Sequence, residues 1–207
     1  MKYSALIPVK SLAQAKSRLA PYLSSSEREE LVLDMLEHVL RTLRMCEQIE
    51  RTAVVSADTS VLAHAERLGA VPLLERQYGH NPALHAAALQ LESAGAGALL
   101  TISADLPLLA ARDIITMIEL SRQSDVVLAP SREGTGTNAL LVRPPLAIPY
   151  RFGIDSRSRH LEAAHRRHLR SSLYQSYSLA FDIDTIEDVR ELQRICPTWR
   201  ERPKMTV

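Results

Sequence analysis

This 207-residue sequence has few of the residues on which several common functional sites depend. It contains two cysteines, Cys46 and Cys196, and only 4% of its residues are aromatic. The cysteines form no Cys-x-x-Cys pair, which argues against a zinc site or a disulfide framework and favours buried thiols. No apolar run is long enough to span a membrane, and the run at 3–9 is too short for a signal-peptide core. We therefore expect a cytoplasmic protein without a membrane partner.

Glycine is also scarce, with seven residues in the chain, and its distribution excludes two phosphate-binding loops. The loop that follows the first predicted strand, residues 10–25, contains no glycine. It therefore forms neither a Gly-x-Gly-x-x-Gly dinucleotide turn nor a Walker loop. A Gly-x-Ser-x-Gly nucleophile elbow is absent as well. The formal net charge of +1 gives no global reason to expect a nucleic-acid partner.

Short apolar runs alternate with segments of helical periodicity along most of the chain. This alternation is typical of βα units in a mostly parallel sheet with helices on both faces. It predicts a three-layer α/β/α sandwich formed by a single domain over residues 1–196, followed by a C-terminal tail at 197–207. The predicted strands are at 3–9, 52–57, 71–74, 98–103, 126–129, 138–142 and 173–177.

Several helices carry capping signals at their first residues. A capping box at 26–29 precedes the first long periodic segment. Asp58 is suited to cap a helix that ends at Gly69, and the Asn-Pro pair at 81–82 indicates a further helix start. The Thr-x-x-Asp pattern at 185–188 predicts a last helix.

Three aspartates follow apolar runs in the positions where strands are expected to end. Asp105 follows the run at 99–104, and open α/β sheets place their ligand chemistry at such strand ends. Asp182 and Asp184 alternate along an extended segment, so both side chains point to the same side. Taken alone, a strand-end aspartate is usually a turn or helix-cap residue. Together the three favour metal-assisted chemistry on phosphates, because Mg²⁺ prefers carboxylate and phosphate oxygens.

Two loops carry groups that suit an anionic ligand. Lys10, Lys16 and Arg18 lie on the long loop after the first strand, where they either bind a polyphosphate through their side chains or form a solvated basic loop. The second region combines the glycine-containing segment 134–138 with a helix N-terminus at Ser156. Glycine permits close backbone approach and a helix N-terminus attracts anions, although a simple turn and a cap explain the same residues.

The seven histidines raise the question of a zinc site. His160, His165 and His168 lie on one predicted helix, but no His-Glu-x-x-His pattern accompanies them. We therefore expect these side chains to form a solvated polar face. The arginines of the same helix lack the interleaved aromatic residues of a nucleic-acid surface.

Five segments of the chain occur together in an order that is typical of one enzyme family. They are Ile-Pro-Val-Lys at 7–10 with Lys-Ser-Arg-Leu at 16–19, Ser-Ala-Asp-Leu-Pro-Leu at 103–108, Gly-Thr-Asn-Ala-Leu at 136–140, Phe-Gly at 152–153 with Ser156 and His160, and Asp-Ile-Asp-Thr at 182–185. The chain resembles the phosphoenolpyruvate or 2-phospho-L-lactate guanylyltransferases, which make the deazaflavin coenzyme F-420. Asp-Leu-Pro also occurs in cytidylyltransferases and sugar nucleotidyltransferases. The order and combination of the five segments therefore distinguish this family from those enzymes. The resemblance covers about residues 1–196.

The resemblance implies a nucleotidyltransferase α/β sandwich of the glycosyltransferase A type, which is Rossmann-like. It implies transfer of GMP from GTP to the phosphate of phosphoenolpyruvate or 2-phospho-L-lactate, with release of diphosphate. It also implies that Asp105, Asp182 and Asp184 are the catalytic residues and hold a Mg²⁺ ion. An acceptor phosphate is already ionised near neutral pH, so this reaction requires no strong general base.

The resemblance also assigns residues to the two small-molecule substrates. The phosphorylated three-carbon acid is expected to contact Thr137, Gly153 and Ser156. The triphosphate of GTP is expected to face Lys10, Lys16 and Arg18. Asn81 is a further candidate for a nucleotide contact, although the chain has Gly-His-Asn-Pro at 79–82 where the family pattern has Gly-Leu-Asn.

Two alternatives stay open at this point. One is another nucleotidyltransferase, with a cytidylyl or sugar-phosphate substrate, and the other is a non-catalytic nucleotide-binding module whose aspartates only cap helices. The sequence does not distinguish phosphoenolpyruvate, 2-phospho-L-lactate and 3-phospho-D-glycerate, because these acids share phosphate and carboxylate groups. The sequence also leaves the oligomeric state open, and a homodimer is compatible with it.

Overall fold

A seven-stranded sheet with helices on both faces forms the computed structural model, which describes residues 2–77 and 79–199. The strands are β1 (Tyr3–Pro8), β2 (Ile49–Ser56), β3 (Val71–Leu74), β4 (Ala98–Ile102), β5 (Val126–Pro130), β6 (Thr137–Val142) and β7 (Ser171–Leu173). The helices are α1 (Ser25–Arg44), α2 (Thr59–Arg67), α3 (His80–Ser93), α4 (Ala111–Leu120), α5 (Ser156–His165), α6 (Tyr177–Ala180) and α7 (Ile186–Ile195).

The strand order, β3-β2-β1-β4-β6-β5-β7, determines where a ligand can approach the sheet. β1 pairs in parallel with both β2 and β4, so the chain leaves the centre of the sheet first in one direction and later in the other. Such a reversal opens a crevice at the carboxyl ends of the central strands. β6 runs antiparallel to β4 and β5, so its first residues lie beside the end of β4.

Apolar residues on the two faces of the sheet form the cores that hold the layers together. Successive residues of a strand point to opposite faces, so Ile7 packs with residues of α1, α2 and α4, whereas Leu6 packs with residues of α3. Farther along the second face, Ala164 of α5 packs with Val126 and Leu140. Each fully buried leucine or isoleucine contributes roughly 1.5–3 kcal/mol to folding. The predicted three-layer sandwich is confirmed.

The run at 173–177 was predicted as a strand, and this prediction is wrong over most of its length. The strand is Ser171–Leu173, and Tyr177 already begins α6. The local alternation fails because Ser176 turns toward the buried carboxylate of Asp113, to which its hydroxyl donates a hydrogen bond at 2.7 Å.

The capping box of helix α1 lies two residues before the one predicted at 26–29. Ser24 is the N-cap: its Oγ accepts a hydrogen bond from the Glu27 N–H at 3.3 Å, and Glu27 Oε2 accepts from the Ser24 N–H at 2.8 Å. The three consecutive serines offer two registers for the same pattern, and the fold uses the earlier one. Asp58 and Thr185 cap α2 and α7 as predicted.

The last described residues pack against the domain. Trp199 lies in the segment predicted as a tail, and its side chain is buried in a cluster with Leu19, Phe181 and Leu192. Residues 200–207 of that tail lie outside the described residues. Within 2–77 and 79–199, no helix has the length and apolar character needed to cross a membrane.

Candidate active site

Asp105 lies just beyond the carboxyl end of β4, where its carboxylate is held from two sides. Ser103 Oγ donates a hydrogen bond to Oδ1 at 2.5 Å, and the Lys16 ammonium forms a short ion pair with Oδ2. Burial raises the pKa of Asp105, but the charge of Lys16 and the hydrogen bonds from Lys16 and Ser103 together outweigh it, so the net direction is downward. Asp105 is therefore ionised at neutral pH.

Lys16 links Asp105 to Asp184, which lies far away in the sequence. Its Nζ is 3.1 Å from Asp184 Oδ1, and its side chain is only 9% exposed. Burial lowers the pKa of Lys16, but the two carboxylates raise it by more, so the net direction is upward. The lysine is therefore charged, and its ammonium joins the first loop to both aspartates.

The segment after α6 places Asp182 and Asp184 on one side, as the alternating pattern predicts. Phe181 and Ile183 are fully buried against residues of α1, whereas Asp182 is partly buried and Asp184 is exposed. The Ile183 N–H donates to the carbonyl oxygen of Asp105 at 3.3 Å. The main chains that carry the aspartates are therefore joined directly.

Asp182 experiences the surplus negative charge of this cluster. Burial and the nearby charge of Asp105 raise the pKa of Asp182 to about 6, even though Asn138 Nδ2 donates a hydrogen bond to its Oδ1 at 3.2 Å. The charge of Asp184 acts in the same direction. The Lys16 ammonium therefore does not fully offset the negative charge around Asp182.

The three carboxylates match Mg²⁺ in donor type and in charge, because this ion prefers hard oxygen ligands. Among the residues that the structure describes, no group of three histidine, cysteine, aspartate or glutamate side chains is arranged closely enough to hold a metal ion. Lys16 lies between Asp105 and Asp184 in this arrangement. A metal ion held by these carboxylates requires the lysine side chain to move.

The other cations of the first loop occupy different places. Arg18 Nη1 lies 3.7 Å from Asp184 Oδ2, and the arginine side chain is exposed. Lys10 is also exposed and lies near the start of α3, where burial and the charge of Lys10 lower the pKa of His80. The structure therefore brings Lys16 and Arg18 to the aspartates and places Lys10 on the side of α3.

Thr137, Gly153 and Ser156 converge where β6 and α5 begin. Ser156 Oγ donates to Thr137 Oγ1 at 3.1 Å, and the Ser156 N–H donates to the Gly153 carbonyl oxygen at 3.1 Å. The φ of Gly153 is +115°, a conformation that favours glycine, and a Cβ added there would meet no atom within 4 Å. The three residues predicted to contact the acid thus lie together, and the Gly153 side of their loop is open.

Asn81 is the first residue after the start of α3 at His80, so its predicted role as the cap of that helix is wrong. Its Nδ2 donates to the Phe152 carbonyl oxygen at 3.0 Å, and its Oδ1 accepts from the Phe152 N–H at 2.8 Å. Both polar groups of the amide are thus used within the protein. Asn81 therefore holds the loop before Gly153, and its contact with the nucleotide stays a prediction.

His160 was predicted to lie on a solvated face, and this prediction is wrong because its side chain is 0% exposed. Its Nε2 is 2.9 Å from the backbone nitrogen of Arg151, and its Nδ1 is 3.2 Å from Thr137 Oγ1. The Phe152 ring meets it edge-on, with centroids 5.0 Å apart. Burial, with a smaller effect of the Arg151 charge, lowers the pKa of His160 to about 4. His160 lies four residues after Ser156, and this spacing is the sequence signal that places both side chains on the same face of α5.

The other two histidines considered with it, His165 and His168, are exposed as predicted.

A buried aspartate that the sequence did not single out holds the chain before Asp182. Asp113 is fully buried and accepts hydrogen bonds from Ser176 Oγ at 2.7 Å, Ser178 Oγ at 2.6 Å and the Tyr174 hydroxyl at 3.1 Å. A backbone N–H at the start of α4 donates to the same carboxylate at 3.0 Å. Asp113 therefore ties α4 to the segment that leads into the aspartate pair.

Solved structures share this fold at low sequence identity. One, described as a nucleotide-diphospho-sugar transferase from Desulfovibrio desulfuricans G20, has a TM-score of 0.78 at 15% identity and covers 99% of this chain and 92% of its own. A 4-diphosphocytidyl-2C-methyl-D-erythritol synthase from Anaerococcus prevotii has a TM-score of 0.66 at 12% identity and covers 95% and 98%. These similarities show that the chain shares the α/β fold of those two proteins.

Sequence comparison identifies the family. A phosphoenolpyruvate guanylyltransferase from Sphaerobacter thermophilus is 41% identical over 193 residues, which are 93% of each chain. A 2-phospho-L-lactate guanylyltransferase from Methanothermobacter thermautotrophicus is 37% identical over 194 residues, which are 93% of this chain and 84% of the relative. The family model described as guanylyl transferase CofC like matches residues 3–194. Because that match extends over nearly the whole chain, this protein belongs to the CofC-like guanylyltransferase family.

Proposed function

We propose that this protein transfers GMP from GTP to the phosphate of phosphoenolpyruvate, or of 2-phospho-L-lactate, and releases diphosphate in the biosynthesis of coenzyme F-420. The observation that supports this proposal most is that the hydroxyls of Thr137 and Ser156 lie next to the carboxylate cluster at the start of β6. Thr137 is hydrogen-bonded to Ser156 at the start of α5, and the next residue, Asn138, donates its hydrogen bond to Asp182 of the carboxylate cluster. Hydroxyls at a helix N-terminus next to a carboxylate cluster suit an acid and a nucleotide bound side by side.

The chemistry that we propose is a direct nucleotidyl transfer. A phosphate oxygen of the acid attacks the α-phosphorus of GTP, a new P–O bond forms, and the bond to the diphosphate leaving group breaks. The attacking phosphate is ionised near neutral pH, so no residue has to remove a proton from it. The chief obstacle is repulsion between two anions.

The chain supplies groups that reduce this repulsion. Lys16 and Arg18 bind triphosphate oxygens, and the Thr137 hydroxyl, which accepts a hydrogen bond from Ser156, donates to the acid, which aligns the two substrates. Magnesium, when bound, supplies Lewis-acid stabilisation of the phosphate charge, and Asp105, Asp182 and Asp184 are the residues that would hold it. None of these roles requires a catalytic histidine.

Replacing one carboxylate at a time tests the role of the cluster. We expect Asp105→Asn and Asp182→Asn each to lower diphosphate release by about 100-fold or more, because a preorganised group that stabilises transition-state charge typically contributes about 3 kcal/mol. The rate is measured with GTP and phosphoenolpyruvate, and thermal unfolding verifies that each variant is folded.

Glu162→Gln is the matched control, because this exposed carboxylate pairs with Arg166 on α5. We expect it to keep the wild-type rate. Near wild-type rates in both aspartate variants would contradict the proposed role of the cluster.

A further inference from the structure

His160 has no part in the chemistry above, yet both of its ring nitrogens form hydrogen bonds, one to the loop before α5 and one to Thr137 at the start of β6. The Arg151 backbone N–H lies 2.9 Å from Nε2. A backbone amide is a donor only, so Nε2 has to be the acceptor and carries no proton. In a neutral imidazole the proton then resides on Nδ1. The loop that contains Arg151 therefore selects one tautomer of the buried histidine.

This tautomer determines how the hydroxyl of Thr137 is oriented. The Nδ1–H of His160 donates to Thr137 Oγ1 at 3.2 Å, and Ser156 Oγ donates to the same oxygen at 3.1 Å. A hydroxyl oxygen has two acceptor lone pairs and one hydrogen, so both lone pairs are used. The hydrogen points away from both donors, and no acceptor for it is found among residues 2–77 and 79–199.

We propose that His160 is a positioning residue that directs the Thr137 hydroxyl hydrogen toward the phosphorylated acid. An anion requires donors, and a threonine hydroxyl that rotates freely presents its lone pairs to the anion for part of the time. Two fixed donors prevent this rotation, so Thr137 offers the anion a preoriented hydrogen. The inference rests on the proposed function, because the acid is the acceptor substrate of that reaction.

Two substitutions separate the two hydrogen bonds of the imidazole. In His160→Asn, the amide nitrogen takes the place of Nδ1 and still donates to Thr137, but the side chain does not reach the Arg151 N–H. In His160→Gln, the amide oxygen takes the place of Nε2 and still accepts from Arg151, but no donor remains beside Thr137. The pair therefore distinguishes orientation of the hydroxyl from support of the loop.

We expect His160→Gln to raise the KM for phosphoenolpyruvate, and its Kd measured by calorimetry, by about tenfold, as for a lost hydrogen bond to a charged group. His160→Asn should stay within about threefold of the wild-type values. The KM for GTP should change little in either variant. Equal effects of the two substitutions, or a larger effect of His160→Asn, would overturn the inference.

A double-mutant cycle with Thr137→Val tests whether His160 acts through the hydroxyl. Valine removes the hydroxyl at nearly constant shape, so we expect His160→Gln to have no further effect on acid binding in a Thr137→Val background. Additive effects would show that His160 acts by another route. If Thr137→Val leaves acid binding unchanged, the hydroxyl does not contact the acid and the inference is wrong.

The tautomer itself is measurable in the wild-type protein, without turnover and without any substitution. Long-range ¹H–¹⁵N correlation spectra of histidine-labelled protein should show His160 with a protonated Nδ1 and a bare Nε2. The opposite tautomer would contradict the inference. Retained acid binding without guanylyl transfer would contradict the proposed function alone, whereas transfer without a difference between the Asn and Gln variants would contradict this inference alone.

Discussion

Lys16 is the residue on which the charge balance of the carboxylate cluster depends. Its ammonium binds Asp105 and Asp184, which are 89 and 168 positions away in the sequence. Asp182 is left with a pKa raised to about 6 by burial and by the charge of Asp105. The strand-end rule predicted where each aspartate lies along its own segment. It did not predict that one lysine joins two of them, because this pairing depends on the path of the first loop.

Removing the Lys16 charge should therefore reduce activity strongly. We expect Lys16→Met to lower kcat/KM for GTP by about 100-fold, since the substitution removes a cation that pairs with Asp105 and that we propose to bind the triphosphate. Lys2→Met is the matched control, because Lys2 is 68% exposed and pairs with Glu50 at the amino ends of β1 and β2, opposite to the strand ends that carry the aspartates. A similar kcat/KM for the two variants would contradict the role of Lys16.

The buried imidazole of His160 should make the protein sensitive to acid. Burial, and to a smaller extent the charge of Arg151, lowers its pKa from 6.5 to about 4, so between these values the unfolded chain binds a proton that the folded protein excludes. The stability contribution is fully present above pH 6.5 and is lost as the pH falls toward 4. It amounts to about 2 kcal/mol between pH 7 and pH 5.

Urea unfolding of the wild type and of His160→Asn at pH 7 and pH 5 measures this contribution. The wild type should lose about 2 kcal/mol more of its free energy of unfolding than the variant, because the two proteins differ only in the titration of residue 160. Equal losses in the two proteins would show that the imidazole does not exclude a proton.

At the scale of secondary-structure elements, the short helix α6 and the segment after it are held by side chains of three neighbours. Asp113 of α4 accepts hydrogen bonds from the segment before the helix, and Asn138 of β6 donates to the Leu179 carbonyl oxygen at 2.9 Å. Arg132 lies 4.4 Å from the centre of the Phe181 ring and 3.0 Å from Glu191 of α7. This support holds the pair of aspartates without a long helix or a strand of their own.

Asp113→Ala should loosen this support. Three hydroxyls and one backbone N–H would lose their acceptor in a buried place, so we expect the free energy of unfolding to fall by about 3 kcal/mol. Glu162→Ala removes an exposed carboxylate from α5 and should change it by less than about 0.5 kcal/mol. Urea denaturation gives both values, and equal values would show that the buried carboxylate does not stabilise the fold.

At the scale of the whole molecule, the sequence predicted those features that depend on local patterns. Apolar residues at intervals of two and of about 3.6 specified strands and helices, and their alternation specified the three layers. The extended pattern at 181–184 placed two aspartates on one side, which the burial of Phe181 and Ile183 confirms.

Features that depend on tertiary contacts were not predicted. The burial of His160 requires the Phe152 ring to pack over it from a different segment. The Leu173–Tyr177 run ends its strand early because Asp113, 63 residues before Ser176, draws that serine inward. The antiparallel direction of β6, which brings Thr137 beside the end of β4, likewise depends on the whole sheet.

The central claim is that this fold brings GTP and a phosphorylated three-carbon acid together for guanylyl transfer. Its most direct test incubates the purified protein and magnesium with each of the four nucleoside triphosphates and each of three acids: phosphoenolpyruvate, 2-phospho-L-lactate and 3-phospho-D-glycerate. Mass spectrometry then detects the nucleotidylated acid. We predict a guanylylated product from GTP with phosphoenolpyruvate or 2-phospho-L-lactate, formed together with diphosphate. A preference for CTP, or no nucleotidylated acid under any combination, would contradict the claim.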